Sequence, residues 1–191
     1  MSNREGTLFV ISGPSGSGKT SVCREASNRT GVPVSVSATT RAPRSTEREG
    51  IDYIFLTREE FESRIEQGWF YEHAQVYSHL YGTPRAPMDS ALSDGDGCLL
   101  DIDIQGARSV RQTCPGAVLV FIVPPTLDEL RERLRGRATE TGNELELRLS
   151  LADREMACSG EFDHVVVNDE LDNAVAAVAR ILELGRKNER R

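Results

Sequence analysis

An α/β fold, a parallel sheet with helices on both faces, follows from three features of this chain. Five short, nearly continuous apolar runs fall at residues 8–11, 34–37, 98–102, 117–123 and 164–167. Runs of that length without polar alternation suit strands covered on both faces, as parallel sheets require. Stretches of helical period lie between them, and the alternation of strand and helix marks a doubly wound architecture. The third feature is the junction of the first run with a glycine-rich turn and a helix start, where such folds cradle anions.

That junction reads Leu8-Phe9-Val10-Ile11, then Gly13-Pro14-Ser15-Gly16-Ser17-Gly18-Lys19-Thr20, then Ser21 and a helix-forming stretch to Ala26. Every fixed position of the phosphate-binding pattern G-x-x-x-x-G-K-[ST] is filled. Glycines let successive N–H groups curl inward toward phosphate oxygens, and the following helix adds the positive end of its dipole. In such a loop Lys19 reaches the outer phosphates of ATP, and Thr20 offers its hydroxyl to Mg²⁺. A flexible Gly/Ser turn is the bland alternative, and it leaves the strand before and the helix after unexplained.

The remaining elements follow in order. Residues 34–37 read as a second strand. The rhythm then breaks: Tyr53-Ile54-Phe55-Leu56 looks like a strand, Thr57 with Glu60 three residues on opens a helix that closes near Gly68, and a mixed polar and aromatic run extends from Trp69 to Tyr81. This reads as a small α+β insertion. After the run at 117–123, Thr126-Leu127-Asp128-Glu129 forms a capping box for a helix through Leu134. Residues 136–146 are polar and punctuated by glycine, as a mobile loop or lid would be. A final helix covers 171–184, and the basic end from Arg186 onward reads as a frayed, solvated helix terminus.

A chain of 191 residues suits one domain, divided into a core (1–36, 87–132 and 149–191), an insertion (37–86) and a lid (133–148). Apolar residues at 38% and charged residues at 28% are ordinary for a soluble protein. A net charge of −7 speaks against nucleic-acid and anionic-membrane partners, which call for excess Lys and Arg. A small anionic substrate stays open, since local arginines decide it. Cys23, Cys98, Cys114 and Cys158 show no C-x-x-C and no histidine at ligand spacing, so they read as reduced core thiols of a cytoplasmic protein. The first apolar run is too short for a signal peptide or a membrane span. Monomer and homo-oligomer are equally open.

A second constellation lies in the insertion. Ser37-Ala38-Thr39-Thr40-Arg41-Ala42-Pro43-Arg44 sets two guanidiniums three residues apart on a proline-stiffened turn, a clamp for a phosphate monoester. Tyr53 and Tyr81 can add hydroxyl donors. Glu72 stands in Trp69-Phe70-Tyr71-Glu72-His73-Ala74, an odd setting for a carboxylate without a partner; an ion pair with one of the insertion's arginines is the alternative. Asp101 ends a buried run, placed either toward a Mg²⁺ shell through water or to orient Lys19, Arg41 or the loop.

These residues together resemble the guanylate kinase family, over nearly the whole chain. Further matching segments are Gly50-Ile51-Asp52-Tyr53, Tyr81-Gly82-Thr83, Leu100-Asp101-Ile102-Asp103-Ile104-Gln105-Gly106, Ile122-Val123-Pro124-Pro125, Arg133-Leu134-Arg135-Gly136-Arg137 and Val167-Asn168-Asp169. The resemblance implies a P-loop nucleoside-monophosphate kinase fold, and transfer of the γ-phosphoryl group of MgATP to GMP, with dGMP as a further acceptor. It implies that Arg41, Arg44, Tyr53 and Tyr81 hold the GMP phosphate while Ser37, Glu72, Thr83 and Asp103 read guanine. It implies that Arg133, Arg137 and Arg148 swing over the ATP phosphates, and that Asn168 touches adenine. Read without the family, Arg133 and Arg137 can be solvated helix charges, and Asn168 a turn former or helix cap.

Guanine presents two adjacent donors, N1–H and the 2-amino group, which one carboxylate accepts together, whereas adenine turns a lone pair toward it. No histidine sits in a nucleophile or base arrangement, and transfer to a phosphate oxygen needs none. Two rivals remain: a ribose 1,5-bisphosphate type of small-molecule kinase, and a non-catalytic, peptide-binding interaction domain. One stretch departs from the family pattern. Ser78-His79-Leu80 precedes Tyr81 where many relatives carry Gly-Asn and paired aromatics, so altered packing around the GMP site is expected.

Overall fold

The computed structural model describes residues 6–135 and 142–188; for 142–149 and 187–188 it describes the backbone alone. Strand β1, Leu8–Ser12, is buried at every position, as a central parallel strand must be. Helix α1, Lys19–Thr30, follows the glycine-rich loop and ends at Gly31, whose φ of 74° closes its N–H onto Ser27 O. The expected strand at 34–37 does not form. Val34 makes a single bridge to Leu99, because by Ser37 the chain has already left for a second sheet, the Ser37 carbonyl accepting the Ile54 N–H at 2.9 Å.

That sheet opens with β2, Ala38–Thr39, and β3, Ile54–Phe55. Helix α2, Arg58–Glu66, carries the expected box in full: Thr57 accepts from the Glu60 N–H and the Glu60 carboxylate from the Thr57 N–H. The run left unassigned around Trp69 is a β-hairpin of β4, Phe70–Val76, and β5, His79–Pro84. Its turn is Tyr77-Ser78, with Tyr77 at a φ of 55°. The strand order is β3-β2-β5-β4, over a small core of Ala38, Phe61, Phe70 and Leu80.

The chain returns through α3, Arg85–Ser93, to β6, Cys98–Asp101, α4, Ile104–Thr113, and β7, Val118–Val123. Next come α5, Leu127–Arg135, α6, Gly142–Ala157, β8, His164–Val167, and α7, Leu171–Asn188. The main sheet runs β6-β1-β7-β8, parallel throughout. Strand alternation splits β1 between two cores. Phe9 and Ile11 pack with Val22, Val178 and Leu182, from α1 and α7. Leu8 and Val10 pack with Met88 and Val110, from α3 and α4.

Three expectations are corrected here. Burial on both faces fails at the edge strand β8, where Val166 is buried but Val165 and Val167 are 51% and 49% exposed. Only half of the box at Thr126 forms: the Glu129 N–H donates to Thr126 Oγ1 at 3.1 Å, while the Glu129 carboxylate pairs with Arg133. The four thiols are free, but only Cys23 and Cys98 are buried.

Candidate active site

The phosphate loop crosses the carboxyl ends of β1 and β7, where open α/β sheets bind ligands. Gly13, with φ of 145°, lies so close to the sheet that a Cβ would fall 2.2 Å from Ile122 O. Gly18, at φ 88°, would set a Cβ 2.3 Å from Asn168 Nδ2. That amide is 6% exposed and donates to Ser17 O at 2.7 Å, so it has little freedom to yield. Gly18→Ala is therefore expected to cost about 2–3 kcal/mol, lower Tm by about 5–10 °C and abolish ATP binding. Gly16→Ala, at a φ of 89°, meets only side-chain ends, Leu134 at 3.0 Å and Leu130 at 3.2 Å, and should do less; equal melting curves for the two variants would contradict this.

Lys19 Nζ donates to Gly13 O at 2.8 Å and Pro14 O at 2.9 Å, folded over its own loop. Ser15 N–H donates to Glu155 Oε2 at 3.2 Å. Thr20 Oγ1 donates to Asp101 Oδ2 at 2.7 Å. Burial pushes the Asp101 carboxyl up, and Lys19 and the Thr20 hydroxyl pull it back. Of the two readings for Asp101, this pairing suits a shared metal shell and an orienting role alike. Ser21 stands beside Thr20 on the first turn of α1 and faces the same cavity.

That cavity, about 600 Å³, is continuous from Gly18, Lys19 and Asp101 to Arg41, Tyr53 and Glu72. Ser37, Arg44, Tyr81 and Asp103 also border its insertion end. Arg41 Nη2 donates to both oxygens of Glu47, at 2.8 and 2.9 Å, and its guanidinium lies 5.5 Å from the centre of the Tyr53 ring. Burial works against the Arg41 charge, but the Glu47 carboxylate holds its pKa above the usual range. Tyr53 meets Tyr81 edge to face at 6.1 Å, and burial pushes the Tyr53 hydroxyl well up.

Glu72 faces Thr83 across the hairpin and is 7% exposed. Among the described residues its partner is Thr83, whose Oγ1 donates to Oε1 at 2.7 Å; the alternative of an arginine ion pair is not what the structure shows. Burial pushes this carboxyl up to about 7, against the pull of the Thr83 hydroxyl and with a contribution from nearby Asp103. Asp103 caps α4, accepting the Gly106 N–H at 2.9 Å, and burial raises its pKa too. A Cβ at Gly106 would come 2.7 Å from Glu72 Oε2, so the bare helix start leaves that oxygen room.

Thr83 itself is wholly buried behind Glu72. Arg133 donates to Asn168 O at 3.0 Å and pairs with Glu129, tied to the platform beneath the loop. Arg137 and the side chain of Arg148 lie outside the described residues. Of the departure before Tyr81, Leu80 points away from the cavity and joins the small core of the second sheet, while strand alternation keeps His79, paired with Val76, on the face of Tyr81.

A family model described as guanylate kinase matches residues 5–184. The chain belongs to the guanylate kinase family. It is 47% identical to a guanylate kinase of Corynebacterium jeikeium, covering 93% of this chain and 96% of that one. It is 46% identical to one of Parasynechococcus marenigrum, covering 94% and 100%. The crystal structure of guanylate kinase from Anaplasma phagocytophilum superposes with a TM-score of 0.81 at 32% identity, covering 96% of this chain and 87% of that one.

Against this family background, two contacts stand out that the sequence reading missed. Glu47 binds both clamp arginines, and Arg24 of α1 pairs with Asp52 of the insertion. Glu47 had a visible signal, an acid three residues after Arg44. The partners Arg24 and Asp52 lie 28 residues apart, and no local pattern joins them.

Proposed function

We propose that this chain is a guanylate kinase, moving the γ-phosphoryl group of MgATP to GMP to give ADP and GDP. The observation that carries this reading is a buried carboxylate, Glu72, on the same cavity as an intact phosphate loop. An acceptor with two adjacent donors answers that carboxylate; leaving it against an acceptor costs about 1–3 kcal/mol or more. A sugar-bisphosphate kinase has no use for Glu72 beside Asp103, and a peptide-binding domain has no use for Lys19 and Thr20 over a glycine cradle.

The acceptor oxygen belongs to a phosphate already largely deprotonated at neutral pH, so no side chain need remove a proton. Its bond to the γ-phosphorus forms as the β–γ bridging bond breaks and ADP leaves. What the protein supplies is alignment and positive charge. In this reading Gly13, Pro14, Ser15, Gly16, Ser17, Gly18, Lys19, Thr20 and Ser21 cradle the triphosphate, Asn168 backs the cradle near adenine, and Arg41, Arg44, Tyr53 and Tyr81 seat the GMP phosphate. Ser37, Thr83 and Asp103 assist Glu72 at guanine, and Arg133, Arg137 and Arg148 attend the transferring group. Thr20 and Asp101 fit Mg²⁺, being hard oxygen donors 2.7 Å apart beside the loop. Bound there, the ion neutralises phosphate charge. Residues 37–86 serve as a moving part against the core, while the expected lid at 133–148 lies in part outside the described residues; the cytoplasm is where such substrates would be met.

The test is an acceptor screen with MgATP over GMP, dGMP, AMP, CMP, UMP and ribose 1,5-bisphosphate. GMP should exceed AMP in kcat/KM by about a hundredfold or more. Preference for ribose 1,5-bisphosphate, or no turnover with any acceptor, would overturn the reading.

A further inference from the structure

Two guanidiniums in one clamp repel each other, and flexible arginine side chains lose entropy when a ligand orders them. The turn carrying Arg41 and Arg44 answers both problems internally. The Glu47 carboxylate takes Arg41 Nη2 on both oxygens, at 2.8 and 2.9 Å. Its Oε2 also accepts the Arg44 backbone N–H at 2.8 Å, and Oε1 lies 3.7 Å from the Arg44 guanidinium. The Glu47 N–H donates to Arg44 O at 3.0 Å, closing the turn. The Glu47 side chain is 12% exposed and that of Arg41 14%, against 33% for Arg44. Arg41 is thus anchored while Arg44 is left more open to the cavity.

We propose that Glu47 is a positioning residue for the acceptor's phosphate, presetting Arg41 and the Arg44 backbone so that the clamp meets a phosphate monoester already assembled. This rests on the reading of GMP as acceptor. The opposite role is a placeholder that occupies the arginines until phosphate displaces it. The two roles predict opposite signs, because removing a brace weakens phosphate binding and removing a competitor strengthens it. The Arg44 N–H contact favours the brace, since a backbone bond inside the turn is shape, not stored charge.

The experiment compares wild type, Glu47→Ala and Glu47→Gln in a coupled assay, with guanosine as a competitive inhibitor lacking the phosphate. Glu47→Ala should raise KM for GMP about tenfold or more, with kcat and KM for ATP within about threefold of wild type. Its affinity for guanosine should be unchanged, whereas a collapsed insertion would weaken guanosine as well. Glu47→Gln keeps an acceptor for Arg41 and the Arg44 N–H, so it should recover part of the loss, and it carries the test if the alanine variant fails to fold. Unchanged or lowered KM for GMP in a folded variant, or equal weakening of guanosine, overturns the proposal. A wild type that does not phosphorylate GMP overturns the functional reading first, and this inference with it.

Discussion

Glu72→Gln is expected to lower kcat/KM for GMP by about two to three powers of ten and, at pH 8, to raise the melting temperature of the ligand-free protein. Glutamine keeps the shape and one acceptor but turns an amide donor toward guanine's own donors, so a hydrogen bond is lost and a donor pair is left in conflict. The stability gain has a separate cause. Burial pushes the Glu72 carboxyl from its ordinary 4.5 up to about 7, so the folded protein holds this proton more tightly than the unfolded chain. The stability this provides is complete below the ordinary value and is lost as pH rises through about 7. Above that, folding must keep a charge in a site that is 7% exposed, at a cost of at most about 3 kcal/mol, which glutamine avoids. At pH 4 the two proteins should melt alike. On this reading GMP needs the ionised carboxylate, so as pH drops below 7 wild-type affinity should fall more steeply than the variant's, which follows only the protonation of the GMP phosphate itself at about 6. Thermal scans at pH 4 and 8, with GMP titrations from pH 5.5 to 8, check both halves; GMP preference intact in the variant would refute the assignment.

What could be read from the chain alone depended on whether cause and effect lie close together in sequence. The phosphate loop was legible because Gly13 through Thr20 specify it consecutively, and the α2 cap because Thr57 and Glu60 face each other one turn apart. Glu72 stood out because its neighbours are apolar, but its partner Thr83 requires the hairpin register. That hairpin was hidden by its turn: Tyr77 holds a φ of 55° without the Asn-Gly signature that marks such loops. The β8 run looked like β1 in composition. Hydrophobicity marks a strand without saying whether a neighbour covers it, and at this edge Val165 and Val167 stay half exposed. Glu155 on Ser15, 140 residues away, and Arg24 on Asp52 are products of assembly, with nothing in the local sequence to announce them.

The second large effect concerns the other end of the cavity. Lys19→Met should lower kcat by about a thousandfold while leaving GMP affinity within about threefold of wild type. Methionine matches the length of the lysine stem and removes only the charge and its donors. In the described state the Lys19 amine rests on Gly13 O and Pro14 O, at 2.8 and 2.9 Å, so its head already lies inside the loop's own curve. Little reorganisation separates that position from the outer phosphates of a bound nucleotide, and charge held ready in this way acts chiefly on the transition state. GMP should be indifferent, because the seat proposed for its phosphate is the pair Arg41 and Arg44, which Glu47 holds. Steady-state kinetics with an independent GMP titration separates the two ends of the cavity. A variant whose kcat stays within tenfold of wild type would mean that the arginines alone neutralise the transferring group, and the role given to Lys19 would have to be abandoned.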